Sequence, residues 1–181
     1  VNNNTLKGYA IELHKLTLED LTQVFHWRNS PSVRQYMLNS ALIDYDAHCQ
    51  WFEHMLGCDK QLHYKIVYKD QAIGVINIRS NVCLSQATNA EIGVYIADEK
   101  FKGNLIAFSP SLLLIEHAFN SMKIKTLHSV VLADNHDALR YNQALGYQAK
   151  VNSSGQVDIE LTREQFECST KQIKAFLSRN K

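Results

Sequence analysis

The chain has no excess of charge of either sign, no cysteine pair at metal-ligating spacing, no apolar run of membrane-spanning length, and no internal repeat or linker. Each absence removes a class of explanation. Nineteen Lys and Arg against 18 Asp and Glu leave a formal charge of +1, so no global field recruits nucleic acid, an acidic membrane surface or a polyanion. Local basic residues must then be explained one at a time. Cys49, Cys58, Cys83 and Cys168 are widely spaced and form no CxxC pair. That argues against a zinc knuckle or a disulfide framework and for free thiols. The opening Val1-Asn2-Asn3-Asn4-Thr5 carries no basic region followed by an apolar stretch, so a cytoplasmic protein is expected rather than an exported or membrane-bound one.

What is present is an ordinary globular composition. At 181 residues, 45% hydrophobic and 20% charged, the length suits one domain with a substantial core over residues 1–181, of which 163–181 form a C-terminal helical extension. Residues 10–16 alternate weakly and predict a first strand. Thr17 with Asp20 three positions on reads as a helix cap, Leu16 and Leu21 suit a hydrophobic staple, and Leu18, Leu21, Val24, Phe25 and Arg28 mark one side of a helix ending before Pro31. Residues 45–56 predict a second helix, with Trp51, Phe52, Met55 and Leu56 as its apolar area and Gly57 as its stop.

The period then changes. Leu62, Tyr64, Ile66 and Tyr68 alternate along a strand, Lys69-Asp70-Gln71 turns, and residues 72–78 return. A polar loop leads to a third strand at 91–97, so an antiparallel meander is the simplest arrangement. A long helix carrying Leu112, Leu113, Ile115, Ala118, Phe119 and Met122 follows, then a strand at 127–132 and a helix from Asp134 or Asn135 to Gly146. Strands at 147–151 and 157–161 flank a hairpin connection, Asn152-Ser153-Ser154-Gly155-Gln156. A terminal helix is expected over 165–177. The pattern is an α/β layer structure.

One junction invites a phosphate. Residues 91–96 run into Asp98-Glu99-Lys100-Phe101-Lys102-Gly103-Asn104 ahead of the long helix. Such a loop turns successive backbone N–H groups inward, and the helix N-terminus adds its own free donors. Gly103 permits a tight turn or close phosphate approach. Pro110 admits two arrangements. Inside a helix beginning at Asn104 it removes a donor and disturbs the first turn; at N1 behind a Ser109 cap it lengthens the loop. The early start with a disturbed first turn or kink is the preferred expectation.

Lys100-Phe101-Lys102-Gly103-Asn104-Leu105 keeps the central glycine of the loop pattern R/Q-x-x-G-x-G/A, with Lys100 and Leu105 departing from it. Asn135, Ala138, Gly146 and Tyr147 fit N-x-x-A-x-x-x-Y-x-x-x-G-F/Y in order. With Glu91-Ile92-Gly93 upstream, the chain resembles the N-acetyltransferases of the GNAT superfamily. The resemblance implies their α/β (α+β) acyl-CoA N-acyltransferase fold: a mixed, mostly antiparallel central sheet flanked by helices and splayed at the cofactor site. It implies acetyl-CoA (coenzyme A) lying like an added strand in the split between residues 91–96 and 127–132. The cofactor arm would pair with the backbone of Val94, Tyr95 and Ile96, and the phosphates would meet Lys102, Gly103, Asn104 and Leu105. Asn135 would face the arm, Ala138 would allow its close approach, and Tyr141 would be either core or a neighbour of the arm.

Amide formation needs a neutral amine, a stabilised oxyanion and a proton for the departing thiolate. Glu91 is the candidate base, directly or through water, against a plainer reading as a strand-end carboxylate. The tyrosine that protonates the thiolate in many of the resembled enzymes corresponds to Asn142, which donates a hydrogen bond but is a poor proton source. Tyr141, turned by about 100° on the helix, cannot fill the same place. His128, at the start of the adjacent strand, is a weaker candidate, and Cys83 has no histidine at motif spacing.

His26-Trp27-Arg28-Asn29-Ser30-Pro31-Ser32-Val33-Arg34-Gln35-Tyr36-Met37, followed by Trp51-Phe52, is similar to the amino-sugar acetyltransferases of pseudaminic acid synthesis. These acetylate the 4-amino group of a UDP-linked 4-amino-4,6-dideoxy sugar used for surface or flagellin glycans. The resemblance runs over residues 13–161 and implies a small-molecule amine acceptor of the UDP-amino-sugar kind, no nucleic-acid or membrane partner, and a homodimer as a common arrangement. Trp27 or Tyr36 would stack on a base or sugar, Arg28 or Arg34 would pair with diphosphate, and Asn29 would contact a hydroxyl or amide. Asn77 and Arg79, on one alternation face, would stand on the acceptor side. Trp27 as core and Arg34 as a solvated charge are the plainer readings. Acetylation of a protein N-terminus predicts a broad mouth instead, and polyamine acetylation predicts several carboxylates in the cleft. A non-catalytic acyl-CoA sensor on the same fold is the remaining alternative.

Overall fold

The computed structural model describes residues 5–151 and 155–179. Eight strands form one sheet in the order β1-β2-β3-β4-β5-β6-β8-β7. They are β1 (Thr5–Gly8), β2 (Ile11–Lys15), β3 (Gln61–Tyr68), β4 (Gln71–Arg79), β5 (Asn89–Ile96), β6 (Thr126–Leu132), β7 (Gln148–Val151) and β8 (Gln156–Thr162). The helices are α1 (Leu21–Asn29), α2 (Pro31–Arg34), α3 (Tyr45–Leu56), α4 (Ser109–Ser121), α5 (His136–Leu145) and α6 (Arg163–Ser178). Every neighbouring pair of strands is antiparallel except β5 and β6. The sheet is therefore mixed and mostly antiparallel, with the expected meander at β3, β4 and β5.

Strand alternation sorts the side chains into two layers. Leu13, Tyr64, Ile66, Ile76, Ile78 and Ile92 are buried on one face in a core with Leu112, Ile115, Ala118 and Phe119 of α4 and Phe166 of α6. On the other face Val75 packs with Leu16, Val24, Phe52 and Met55, so α1 and α3 cover it. The functional residues described below lie on this second face and at its edge.

Local chemistry explains most boundaries. The Asp20 carboxylate accepts the Thr17 N–H at 3.0 Å, as the spacing predicted, although the first turn it closes, Leu18–Asp20, is a 3-10 turn ahead of α1. Asp44 accepts from Ala47 N at 3.0 Å to start α3. Thr162 and Gln165 form a capping box at α6. Gly146 ends α5 at φ +102, a left-handed conformation that a Cβ strains, and a Cβ there would also meet the Gln165 carbonyl oxygen at 2.7 Å.

Three expectations need correction or refinement. The strand expected over residues 10–16 is present as β2, but an unexpected β1 precedes it and pairs with it as a hairpin. Its turn is carried by Tyr9 (φ 51) and Ala10 (φ 63), residues that give no sequence signal for a turn needing two positive φ angles. Leu18, placed on the inner side of the first helix, is 60% exposed. Pro110 sits neither deep in a helix nor behind a simple cap. Asn104 starts a 3-10 turn, Leu105–Phe108, whose last carbonyl partner is Ser109 N–H bonding Ile106 O, and α4 begins there with Pro110 in its first turn. The Ile106 carbonyl is already used, so the missing Pro110 donor costs no α-helical bond. The predicted hairpin connection at residues 152–154 and the chain start at 1–4 lie outside the described residues; the flanking β7 and β8 pair antiparallel.

Candidate functional site

Strands β5 and β6 pair over only three positions, Asn89 with Thr126, Ala90 with Leu127 and Glu91 with His128. Beyond Glu91, β5 runs five residues to Ile96 still paired with β4 on one side. On its β6 side that stretch has no strand partner. An edge of backbone groups is thus exposed inside the sheet, at the mouth of a cleft of about 1210 Å³. Such an edge accepts an extended amide-bearing ligand as an added strand.

One half of the cleft has the features a pyrophosphate requires. Gly103 has φ +72 with nothing within 4 Å of an added Cβ, so the backbone is bare to a ligand. Asn104 Oδ1 takes the Ile106 N–H at 2.9 Å, and Ala107 N–H goes to Asn104 O at 3.1 Å. The N–H groups of Gly103, Asn104 and Leu105 have no partner among the described residues. Three consecutive donors at a helical N-terminus fit an anion. Lys102 lines the cleft, but its ammonium donates to the Ser32 carbonyl at 2.9 Å and pairs with Glu99 at 2.6 Å. It ties the loop to α2 and holds the Glu99 carboxyl below the usual range.

Across the cleft, Asn135 Oδ1 caps α5 by accepting the Ala138 N–H at 3.1 Å, so the motif asparagine builds the helix end that faces the cleft. Ala138 lines the wall. The Tyr141 hydroxyl donates to the Ala107 carbonyl at 3.0 Å and lies 2.7 Å from Ser111 Oγ, while its ring stacks on Phe108 at 4.6 Å. Burial drives its pKa well up. Tyr141 therefore locks α5 against the turn preceding α4. Asn142 Nδ2 donates to the Ala138 carbonyl at 2.8 Å, which leaves one amide hydrogen for the cleft.

The other half is built on the second sheet face. Register places Gln61, His63, Val75, Asn77, Arg79, Glu91, Gly93 and Tyr95 side by side on that face. Arg79 Nε and Nη2 grip Glu91 at 3.0 and 2.9 Å, a bidentate pair at the fork that fixes the carboxylate's orientation. His63 is buried, 3.0 Å from Gln61 Oε1 and edge-on to Trp51 at 5.7 Å. Burial, then the Arg79 and Arg28 charges, push its pKa down to about 4. His48 donates Nε2–H to the Leu21 carbonyl at 3.1 Å, and burial lowers its pKa too. The Tyr95 hydroxyl is buried without a partner among the described residues.

Arg28 enters the same space. Its Nη1 lies 2.6 Å from Met37 Sδ, and it has no carboxylate partner among the described residues. The three carboxylates lining the cleft are all paired: Glu91 with Arg79, Glu99 with Lys102, and Asp137 with Arg140. The cleft thus carries one uncompensated cation and an aromatic rim, Tyr36 and Trp51, 50% and 40% exposed.

Of the residues singled out in the sequence, Glu91, Asn142, Val94, Tyr95, Ile96, Lys102, Gly103, Asn104, Asn135, Ala138, Tyr141, Arg28, Tyr36, Asn77 and Arg79 line this one cleft. Trp27, Asn29, Arg34 and Leu105 do not. Trp27 packs on the core beneath α1 and α3, and Leu105 packs on the main core. Asn29 clamps the backbone of Ile43 with both ends of its amide, at 2.8 and 3.0 Å, and Arg34 donates to the Ser40 carbonyl at 3.0 Å. These two shape the cleft mouth by holding the segment between α2 and α3. His128 is exposed outside the cleft lining, and Cys83 contacts Ser85 at 3.1 Å in the loop after β4. His48, Trp51, His63 and Ser111 are cleft residues that sequence reasoning missed. His63 was within reach, since a meander with Asn77 facing His63 puts both on one face; His48 depends on how α3 docks.

Comparison with known proteins gives the family and the fold. Residues 10–148 match the model of the acetyltransferase (GNAT) domain. The acetyltransferase PseH of Campylobacter jejuni is 32% identical over 143 residues, 76% of this chain and 80% of that protein. Among solved structures, the C. jejuni N-acetyltransferase PseH in complex with acetyl coenzyme A has a TM-score of 0.64 at 22% identity, covering 84% of this chain and 99% of that one. A GCN5-related N-acetyltransferase from Brucella melitensis has a TM-score of 0.77 at 12% identity, covering 99% and 88%. At these identities the structural likenesses establish the fold.

Proposed function

We propose, on the premise that this chain belongs to the GNAT family of acetyltransferases, that its acceptor is the amino group of a nucleotide-linked amino sugar, namely a UDP-4-amino-4,6-dideoxy sugar. The cofactor is acetyl-CoA, which supplies the acetyl group as an activated thioester when bound. The Gly103 and Asn104 donors suit its phosphates, the open edge of β5 suits its amide-bearing arm, and the small Ala138 leaves the opposite wall clear.

The observation that carries the acceptor assignment is the charge inventory of the cleft. Among the described residues Arg28 is a guanidinium with no acid partner, whereas every lining carboxylate is already neutralised. That balance recruits a diphosphate and rejects a polyamine. Tyr36 and Trp51 offer flat faces at the rim for a base or sugar. The kinship to PseH supports the same reading.

Glu91 receives the proton that the amine sheds, directly or through a water, with Arg79 holding the carboxylate in place. Asn142 lends its remaining N–H to the departing sulfur, so it stabilises a thiolate rather than protonating it. No helix among the described residues is long and apolar enough to cross a membrane. A cytoplasmic homodimer of single-domain chains, serving pseudaminic acid and flagellin glycan synthesis, completes the proposal.

The test is acetyl-CoA consumption across UDP-amino-sugars, peptide N-termini and polyamines, with product masses read by spectrometry. Turnover of a UDP-amino-sugar is expected, with Arg28→Ala raising its KM roughly 10- to 100-fold and leaving the KM for acetyl-CoA unchanged. Turnover confined to peptides or polyamines refutes the acceptor, and coenzyme A binding with no turnover of any amine favours a sensor.

A further inference from the structure

We infer that Asn77 positions the acceptor amine: its Oδ1 accepts one N–H of the neutral amine above the bare backbone of Gly93, and its lack of charge keeps the amine from being held as an ammonium. This rests on the acetyltransferase reading and not on which amine is the acceptor.

Four observations converge. Asn77 of β4 faces Gly93 of β5 in register, two residues past the point where β5 leaves β6. A Cβ on Gly93 would meet Asn77 Nδ2 at 3.2 Å and Oδ1 at 3.4 Å, so the amide lies against a position where any side chain would displace it. Asn77 is half-buried in the cleft, yet its amide has no hydrogen-bond partner among the described residues, while His63, Arg79 and Glu91 on the same face are engaged. A half-buried amide with both ends unused is a site awaiting a partner.

The surrounding charges explain why a neutral group belongs there. The titratable and charged groups around Asn77 are His63 of β3, Arg79 on its own strand, Glu91 and Tyr95 of β5, Arg28 of α1 and His48 of α3. Glu91 is the only anion among them, and it is bound to Arg79. His63 is neutral at neutral pH because burial disfavours its charged form. An ammonium would therefore meet one uncompensated guanidinium, Arg28, and a carboxylate already paired with Arg79, a balance that favours loss of its proton. A primary amine then has two N–H bonds. As its lone pair forms the C–N bond and the C–S pair leaves with sulfur, one proton departs toward Glu91, matched overall by the one sulfur takes up. The N–H held by Asn77 is the one the product amide keeps.

The experiment compares Asn77→Asp, Asn77→Ala and Gly93→Ala with the wild type, using whichever amine of the panel the wild type acetylates best. Three readouts are taken: the pH profile of kcat, acetyl-CoA affinity by calorimetry, and melting temperature. Asp at position 77 should stabilise the ammonium and move the acid limb of kcat up by about one pH unit, roughly a tenfold loss on that limb. Asn77→Ala and Gly93→Ala should each lower kcat/KM roughly tenfold with the limb unmoved. Acetyl-CoA affinity should stay within about twofold in all three, which a general structural defect would not allow. An unmoved limb in Asn77→Asp, or wild-type kcat/KM in Asn77→Ala, overturns the inference. Peptide turnover in place of sugar turnover refutes only the acceptor proposal, and a wild type inert toward every amine refutes both.

Discussion

Replacing His63 by Gln should leave a protein that loses less stability on acidification than the parent. His63 is 8% exposed, with Nε2 3.0 Å from Gln61 Oε1. Burial first, then Arg79 and Arg28, lower its pKa from 6.5 to about 4. Between those values the unfolded chain binds a proton that the native protein refuses, so the stability present above pH 6.5 drains away as pH falls toward 4. At about 1.4 kcal/mol per pH unit the full displacement is worth about 3 kcal/mol, of which roughly 2.5 is gone by pH 4.5. Gln does not titrate. Urea unfolding followed by tryptophan fluorescence at pH 7 and pH 4.5 gives the acid-induced loss for each protein, and the other titrating groups cancel in the comparison. The loss should be smaller in His63→Gln by about 2 to 3 kcal/mol, or roughly 5–10 °C in Tm for a chain of this size. Equal losses would refute a buried, neutral His63 and, with it, the argument that the acceptor half holds uncharged hydrogen-bonding groups beside Arg28.

Three further outcomes follow from the same geometry. Glu91→Gln should cut kcat by roughly 10²- to 10⁴-fold at pH values below the amine's own pKa, with the deficit shrinking above it because the amine is then already neutral; a flat wild-type profile in steady-state assays removes Glu91 from the base role. Asn142→Ala should lower kcat about five- to tenfold, the worth of one hydrogen bond, whereas a loss of a thousandfold would mean that this position does more than donate one. Gly146→Ala, which puts a Cβ 2.7 Å from the Gln165 carbonyl oxygen at φ +102, should cost about 2–3 kcal/mol. An unchanged melting temperature would show that α5 and α6 can separate without penalty.

Much of the fold was legible because the signals are local. Periods of two and of 3.6 located the meander and the long helices, and α3 falls on residues 45–56 as its spacing and its Gly57 stop predicted. The β1–β2 hairpin was not legible, because Tyr9 and Ala10 adopt positive φ without any residue that advertises it. The candidate site divides in the same way. Glu91, Gly103, Asn135 and Ala138 belong to short motifs whose residues lie within a turn or a strand of one another. Asn29 and Arg34 were placed at the acceptor by the resemblance of the 26–37 segment to amino-sugar acetyltransferases; the structure gives their donors to the backbone of Ile43 and Ser40 instead.

By itself the sequence determined the layered fold and the strand-to-helix junction around Gly103, since each depends on spacing along a few residues, and its resemblance to the GNAT pattern sets Asn142 where many of those enzymes carry a tyrosine. Only the tertiary structure decided which charges are spent. Glu91 meets Arg79 across two strands, and Arg28 meets no acid among the described residues, because sheet register and helix docking decide which side chains come together. The same long-range packing leaves the Asn77 amide unpaired over Gly93. Local pattern cannot report such pairings, because the free energy of a buried polar group is set by its neighbours in space rather than in the chain.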